Sequence, residues 1–195
     1  MDSLGDDFAA DNLHRLPAFL QRQCAKYRQK SDKNACILAY LLLEKGLRER
    51  FSVVTPIEFI YNERGKPYLR DAPHVFFSLS HCKCGVACAM AEFEIGVDIQ
   101  DVRPFDFDIA RRVCSWNELR QLSEADDPAR LLTKMWTKKE SYAKARGASV
   151  ADILRLDLPE DVFFVWEKSD YYLSLFAMNP STERVVCVAL CKLPI

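Results

Sequence analysis

The polar and apolar positions at the start of the chain predict one long helix. Apolar residues at 37, 38, 41 and 42 recur at helical spacing. Ser31 or Asp32 can cap this helix, which should continue to about Lys45 and stop at Gly46. The basic residues around its start, between positions 14 and 33, fit either a solvated helix face or an anion site.

Short alternating segments follow and predict strands. Residues 57–61 alternate as in a strand, and a turn should follow before Pro67, because Gly65 tolerates a positive φ and proline cannot continue a central strand. Three more strands are expected, joined by short connections that favour an antiparallel meander, at residues 75–79, 86–91 and 95–100.

The second part of the chain repeats this order of helices first and strands afterwards. Residues 106–113 should be helical, and Ser115 and Glu118 have the spacing of a capping box. Asp127 before Pro128 starts a helix that ends near Arg146, at Gly147. Strands are expected at residues 162–166, 171–177 and 184–191, with a turn at Asn179-Pro180 between the last two.

This repeated order predicts an α+β fold of two similar halves, residues 1–100 and 101–195. Each half should be a helix packed on a small, mostly antiparallel sheet. A length of 195 residues suits one domain or two small halves that share a core, and 49% hydrophobic residues are enough to build that core.

Charge and hydropathy exclude several classes of protein. Lys and Arg total 27 against 28 Asp and Glu, so a chain-wide nucleic-acid surface is not expected. The longest apolar run, 37–43, is far shorter than the roughly 20 residues that cross a bilayer. The acidic first residues do not resemble a signal peptide, and we therefore expect a cytoplasmic protein.

Eight cysteines could indicate a disulfide scaffold, but a chain of this length without a secretory signal favours reduced thiols. Cys82 and Cys84 are spaced C-x-C and follow His81. A zinc site would need a second ligand pair at a suitable spacing, and Cys24 and Cys36 do not supply one. The sequence therefore favours structural thiols over zinc.

Three polar clusters could carry chemistry. Asp98 and Gln100 would share one face of a strand and could offer oxygen ligands to a hard cation, although these residues taken alone favour a solvent-facing alternation on a half-buried strand. Trp136, Glu140 and Lys144 form one helical ridge, which is also compatible with an ordinary ion pair. A third cluster ends the strand near residue 80 with a hydroxyl and an imidazole, and no Gly-x-Ser-x-Gly elbow supports a serine hydrolase.

The order of these clusters resembles the 4'-phosphopantetheinyl transferases, in their larger surfactin-synthetase-activating type with two pseudo-symmetric halves. The resemblance covers roughly residues 15–150. It is carried by G-K-P at 65–67, F-S-L-S-H at 77–81, G-V-D at 96–98 and W-T-K-K-E-S at 136–141 followed by Lys144. The pattern W-x-x-K-E-S-x-x-K downstream of G-x-D is its strongest element.

The resemblance implies transfer of the phosphopantetheine arm of coenzyme A to a serine of an acyl or peptidyl carrier protein, with release of adenosine 3',5'-bisphosphate. It implies Mg²⁺ bound by Asp98 and Glu140, with Gln100 as a weaker ligand. Glu140 would also take the proton of the serine, and Lys144 would stabilise the phosphate or the leaving oxygen. The remaining implied contacts are to coenzyme A phosphates, from Lys66, Ser80 and His81, with Arg22 and Lys33 near the 3'-phosphate.

Two departures keep other functions open. The family often has a third acid where this chain has Gln100, and commonly an arginine where it has Ala35. A coenzyme A or nucleotide-binding module without catalysis is therefore an alternative, and a structural or interaction domain is a third. Arg111, Arg112 and Trp116 are candidates for contacting an acidic carrier protein, although a buried tryptophan is equally compatible with the spacing. Two halves in one chain favour a functional monomer.

Overall fold

The computed structural model describes residues 7–54, 57–159, 163–168, 170–177 and 187–192. The helices are α1 (Phe8–Asn12), α2 (Ala18–Cys24), α3 (Lys30–Phe51), α4 (Phe107–Val113), α5 (Trp116–Glu124) and α6 (Pro128–Arg146), with 3₁₀ turns at Leu13–Arg15 and Val150–Asp152. The strands are β1 (Phe59–Tyr61), β2 (Pro67–Leu69), β3 (Phe76–Cys82), β4 (Gly85–Ala91), β5 (Ile95–Asp101), β6 (Phe163–Glu167), β7 (Tyr171–Ala177) and β8 (Cys187–Lys192).

These strands form two three-stranded antiparallel sheets and a small ribbon of β1 and β2. The first sheet has the order β3-β4-β8 and packs against α3, while the second has the order β5-β7-β6 and packs against α6. The predicted α+β fold, with a long helix on a small antiparallel sheet, is confirmed. The boundary at residue 100 stays a prediction. Each sheet contains one strand from the other side of this boundary, because β8 joins β3 and β4, and β5 joins β6 and β7.

The predicted meander is wrong in its last step. β3 and β4 form a hairpin, but β5 leaves it and pairs with β7, so that Asp98 lies opposite Ser174. The other edge of β5 is bridged to β3 by serine side chains: Val97 N donates to Ser78 Oγ (3.0 Å) and Ile99 N donates to Ser80 Oγ (3.2 Å). Side-chain hydroxyls thus satisfy buried amides that would otherwise lack a strand partner.

The predicted stop of α3 at Gly46 is also wrong, because the helix continues to Phe51. Gly46 lies inside the helix, where a Cβ atom would come within 2.0 Å of Met90 Cε on β4. Ser52, in the left-handed conformation at φ 54°, ends the helix. Gln29 occupies the N-cap position, so neither Ser31 nor Asp32 caps the helix.

The other predicted helices and strands are found where the structure describes the residues, although β1 begins two residues later than predicted, at Phe59, and β3 continues three residues further, to Cys82. Ser115 and Glu118 form a capping box, Asp127 caps α6, and Gly147 ends α6 at φ 58°. Strand β7 has the predicted bounds. The predicted turn at Asn179-Pro180 lies outside the described residues, as do positions 184–186 of the last predicted strand.

Strand β5 lies unusually close to α6, because it carries a glycine at the contact. A Cβ atom on Gly96 would come within 1.9 Å of Ser141 O and 2.6 Å of Ala145 N, both backbone atoms of α6. The buried core beside this contact includes Val97 and Ile99. This close approach places Asp98, two residues along β5, beside the side chains of α6. Within the described residues, no helix is both long and apolar enough to cross a membrane.

Candidate active site

The centre of the candidate site is a partly buried, hydrogen-bonded ion pair between β5 and α6. Lys144 Nζ lies 2.7 Å from Asp98 Oδ1, and it also donates to Ser80 Oγ (3.0 Å) and to Val97 O (3.2 Å). Ser80 Oγ donates to the same Asp98 oxygen (2.7 Å). Three of the residues that the motifs selected are therefore brought together.

The second carboxylate oxygen of Asp98 has no such partner. Asp98 is 5% exposed, and its Oδ2 atom is buried without a hydrogen bond to any residue that the structure describes. An ionised oxygen left unpaired in the interior is costly, unless a cation or another donor completes it. The carboxylate therefore fits a bound hard cation, for which oxygen donors are the preferred ligands.

Glu140 stands one helical turn before Lys144 on α6 and is partly buried. Desolvation raises the pKa of the Glu140 carboxyl, the Lys144 charge lowers it, and the Asp98 charge raises it. The charges of Asp98 and Lys144 thus both act on the Glu140 carboxyl group. Paired carboxylates beside a single cationic group can share a divalent cation, and a carboxylate of raised pKa is a better proton acceptor.

Gln100 already has a partner. With its amide oriented so that the oxygen faces the guanidinium, it accepts hydrogen bonds from Arg103 Nε (3.1 Å) and Nη2 (3.2 Å). A metal ion would therefore compete with Arg103 for this oxygen. Its role as a ligand stays a prediction. The sequence pattern missed the pairing, because no local spacing rule marks Arg103 as a partner.

Lys66 lies deeper than the sequence suggested. It is 8% exposed, and its ammonium group contacts the Glu94 carboxylate and the backbone carbonyl of Ala145. Its stem packs against Gly147, where a Cβ atom would come within 3.2 Å of Lys66 Cδ. Lys66 and Lys144 line one cleft that is also bordered by β3. Contact of Lys66 with a phosphate stays a prediction and requires the ammonium group to turn from Glu94.

His81 follows Ser80 on β3 and lies in the electrostatic field of the site. Desolvation lowers the pKa of its imidazole, while Asp32 and Asp98 raise it and Lys144 lowers it. The influence of Asp32 shows that the first turn of α3 lies near His81. The predicted contact of His81 with a coenzyme A phosphate is untested.

The two basic residues chosen for the 3'-phosphate lie on different helices. Arg22 is exposed near the end of α2 and borders a shallow cleft with Lys26 and Tyr27. Lys33 is partly exposed in the first turn of α3. Among the residues that the structure describes, neither forms a hydrogen bond or ion pair with Asp98, Ser80 or Lys144, so both assignments stay predictions.

An exposed aromatic and basic surface lies on α4 and α5. Trp116 is 88% exposed and Phe107 is 60% exposed, so the alternative of a buried tryptophan is wrong. A shallow cleft joins them to Arg111 and Arg112. Large exposed aromatic side chains beside arginines are typical of protein-binding surfaces.

Residues 94–190 match the family model of the 4'-phosphopantetheinyl transferase superfamily, a stretch that contains Asp98, Glu140 and Lys144. The chain is 26% identical over 185 residues to the 4'-phosphopantetheinyl transferase Sfp of Bacillus subtilis (strain 168). The aligned region covers 87% of this chain and 80% of that protein. The chain is 28% identical over 203 residues to 4'-phosphopantetheinyl transferase psf-1 of Bacillus pumilus, covering 96% and 86%. The 4'-phosphopantetheinyl transferase AcpT of Salmonella typhi is 36% identical over 106 residues, covering 51% and 55%. The resemblance to this family and enzyme class is confirmed.

Proposed function

We propose that this chain, which belongs to the 4'-phosphopantetheinyl transferase superfamily, transfers the 4'-phosphopantetheine group of coenzyme A to a serine of an apo acyl or peptidyl carrier protein. The observation that carries the proposal is the cluster of buried Asp98 and Ser80 with partly buried Lys144, beside Glu140 of α6. It combines two carboxylates, the ammonium group of Lys144 and the unpaired Oδ2 atom of Asp98. A site for a charged pyrophosphate and its metal ion requires such groups.

Asp98 and Glu140 are the residues that would hold Mg²⁺. The unpaired Oδ2 atom of Asp98 supports this assignment. Gln100 could contribute a neutral oxygen only by giving up its hydrogen bonds to Arg103. When bound, the cation would neutralise part of the pyrophosphate charge of coenzyme A.

Glu140 is the proposed proton acceptor. The serine oxygen of the carrier protein attacks the phosphorus that bears the pantetheine arm, and the bond from that phosphorus to the bridging oxygen breaks. Adenosine 3',5'-bisphosphate leaves with the bridging oxygen, while the serine proton goes to Glu140. Burial raises the pKa of Glu140, which strengthens it as a base.

Lys144 is the proposed electrostatic partner of the leaving group. In the structure its ammonium group is held by Asp98, Ser80 and the carbonyl of Val97. These contacts fix the charge in place before a substrate arrives, so that little reorganisation is needed as negative charge develops. Lys66, His81, Arg22 and Lys33 are proposed to contact the phosphates of coenzyme A.

The carrier protein is proposed to dock on the surface formed by Phe107, Arg111, Arg112 and Trp116. This surface combines exposed aromatic rings with two arginines. Carrier proteins are generally acidic, so the arginines would speed and orient the encounter. We further propose that the enzyme acts as a monomer, since both helix–sheet units belong to one chain. Its proposed compartment is the cytoplasm.

The alternative is a coenzyme A-binding module without catalysis. It is favoured by Arg103, which holds the amide of Gln100. Such a module would bind coenzyme A without Mg²⁺-dependent turnover. The intact pairing of Asp98 with Lys144 beside Glu140 favours the enzyme, because a binding module has no need of a proton acceptor at this position.

The test is the mass of several purified apo carrier proteins after incubation with this protein, coenzyme A and Mg²⁺. We expect a gain of one phosphopantetheine group on at least one carrier, and loss of that gain when EDTA is present. Coenzyme A binding by calorimetry without any mass gain would favour the binding module. Absence of both would contradict the proposal.

A further inference from the structure

A second group of metal-ligating side chains lies where β3 and β5 end. Cys82 is the last residue of β3, Cys84 lies in the turn before β4, and Asp101 is the last residue of β5. The two Sγ atoms are 3.3 Å apart. One ligand atom from each of the three residues lies within 4.8 Å of the other two.

The carboxylate of Asp101 is fixed towards the two thiols. Its Oδ2 atom accepts a hydrogen bond from Lys83 N (3.0 Å), and its Oδ1 atom accepts one from Cys84 N (3.1 Å). Hydrogen bonds of this kind hold a metal ligand in its binding orientation and are typical of built sites. Cys84 is 3% exposed, whereas Cys82 is partly exposed, which leaves an access route from solvent.

The two thiols hydrogen-bond to each other and to the Asp101 carboxylate, so a cation would replace thiol protons in contacts that are already formed. The two amide hydrogen bonds to Asp101 would lock the hairpin turn with any small residue at positions 82 and 84. Two adjacent thiols facing one oriented carboxylate are what a soft or borderline cation requires.

We propose that Cys82, Cys84 and Asp101 bind a thiophilic divalent cation of the zinc class, with a fourth position left to water. Two sulfur ligands and one oxygen ligand suit Zn²⁺ and exclude Mg²⁺, which prefers oxygen alone. Binding converts two thiols into two metal-bound thiolates and releases two protons. The sequence lacked a second ligand pair for the C-x-C motif, and the fold supplies Asp101 in its place.

This ligand set of two thiols and a carboxylate differs from the oxygen-only donors of Asp98 and Glu140, although Asp98 and Asp101 share β5. A cation held here would tie the tip of the β3–β4 hairpin to the end of β5. It would thereby fix the strands that carry Ser80 and Asp98. The proposal does not depend on the proposed transfer reaction.

The experiment is a titration of the reduced protein with Co²⁺ under anaerobic conditions, followed by absorption. Thiolate-to-cobalt charge transfer gives a band in the near ultraviolet that ligands with oxygen donors alone cannot produce. We expect the band to saturate at one Co²⁺ per chain and to disappear on addition of Zn²⁺. Cys82→Ser and Cys84→Ser should each remove it, and Asp101→Asn should weaken the metal affinity by about tenfold or more.

Cys36→Ser is the matched control, because Cys36 belongs to another close thiol pair, 3.0 Å from Cys24 Sγ. It should leave the band unchanged. Circular dichroism of each variant confirms that it is folded. The proposal is overturned if no band forms although a thiol-reactive reagent shows that all the cysteines are reduced. It is equally overturned by a band that survives Cys82→Ser and disappears in Cys36→Ser.

Discussion

The two long helices meet their sheets in different ways, although each does so through a glycine. Gly46 of α3 faces the end of the Met90 side chain, and the closest atom to an added Cβ would be Met90 Cε. Gly96 of β5 faces the backbone of α6, at Ser141 O and Ala145 N. The end of a methionine side chain can move, and a helix backbone cannot. The contact between β5 and α6 is therefore the more rigid one.

The candidate chemistry lies at this rigid contact. Asp98 of β5 and Lys144 of α6 meet there at 2.7 Å, with Glu140 one turn away. On α3, the acid Glu44 pairs with Arg15 at 2.7 Å at the surface. The comparison indicates that one helix–sheet unit holds the reacting groups, while the other supplies Ser80 and His81 from β3 and the frame around them.

The largest effect is expected from Asp98→Asn. This change removes the charge that pairs with Lys144 and the unpaired oxygen assigned to Mg²⁺. We expect the rate of transfer to fall by about 10³-fold or more, since both electrostatic contributions are lost. The rate is measured from the mass of the carrier protein over time. Normal turnover by a folded Asp98→Asn protein would contradict the site.

A large effect on stability is expected from Gly96→Ala. The added methyl group meets backbone atoms, so unfolding in urea should show a loss of about 3 kcal/mol or more. Gly46→Ala is the matched change on α3. There Met90 can turn aside, and alanine favours the helix by about 1 kcal/mol, so the net change should stay within about 1 kcal/mol. Equal losses in the two variants would remove the distinction between the two contacts.

A smaller effect separates the two serines of β3. Ser78→Ala and Ser80→Ala each leave one buried amide of β5 without its acceptor, which should cost about 1–3 kcal/mol of unfolding free energy in both. Only Ser80 also contacts Asp98 and Lys144. Transfer should therefore slow in Ser80→Ala and stay near the wild-type rate in Ser78→Ala. Equal rates would show that Ser80 does not organise the site.

The smallest effect concerns the stability of Glu140→Gln. Burial raises the pKa of Glu140 in the folded protein, so its ionised form destabilises the fold above that pKa. Glutamine removes this cost, and the variant should melt at a higher temperature than wild type at neutral pH. The advantage should shrink as the pH falls through the folded pKa towards the unfolded value. A difference in melting temperature that does not change with pH would contradict this assignment.

The sequence predicted the features that local chemistry determines. The capping box of Ser115 and Glu118 and the ends of α6 at Asp127 and Gly147 depend on neighbours in the chain. The end of α3 did not follow from such rules, because Gly46 serves a contact with Met90, more than 40 residues away. The partner of β5 was equally hidden, since β7 is distant in sequence and β4 was the nearer choice.

In the candidate site, too, the sequence indicated some residues, whereas other contacts depend on tertiary packing. The motifs selected Asp98, Ser80 and Lys144, and the fold brings them into contact. The pairing of Gln100 with Arg103 and that of Lys66 with Glu94 arise from tertiary packing, and no spacing in the sequence indicated them. The structure therefore adds competing partners for two of the predicted ligands.

The most direct test of the account compares Glu140→Gln with Glu44→Gln, the matched acid on α3. Coenzyme A affinity is first measured by calorimetry, and the rate of phosphopantetheine transfer is then measured at saturating coenzyme A. We predict that Glu44→Gln transfers at the wild-type rate. Glu140→Gln should still bind coenzyme A but transfer about 10²- to 10⁴-fold more slowly, as loss of a proton acceptor requires. Transfer at the wild-type rate by Glu140→Gln would contradict the assignment of the chemistry to the contact between β5 and α6.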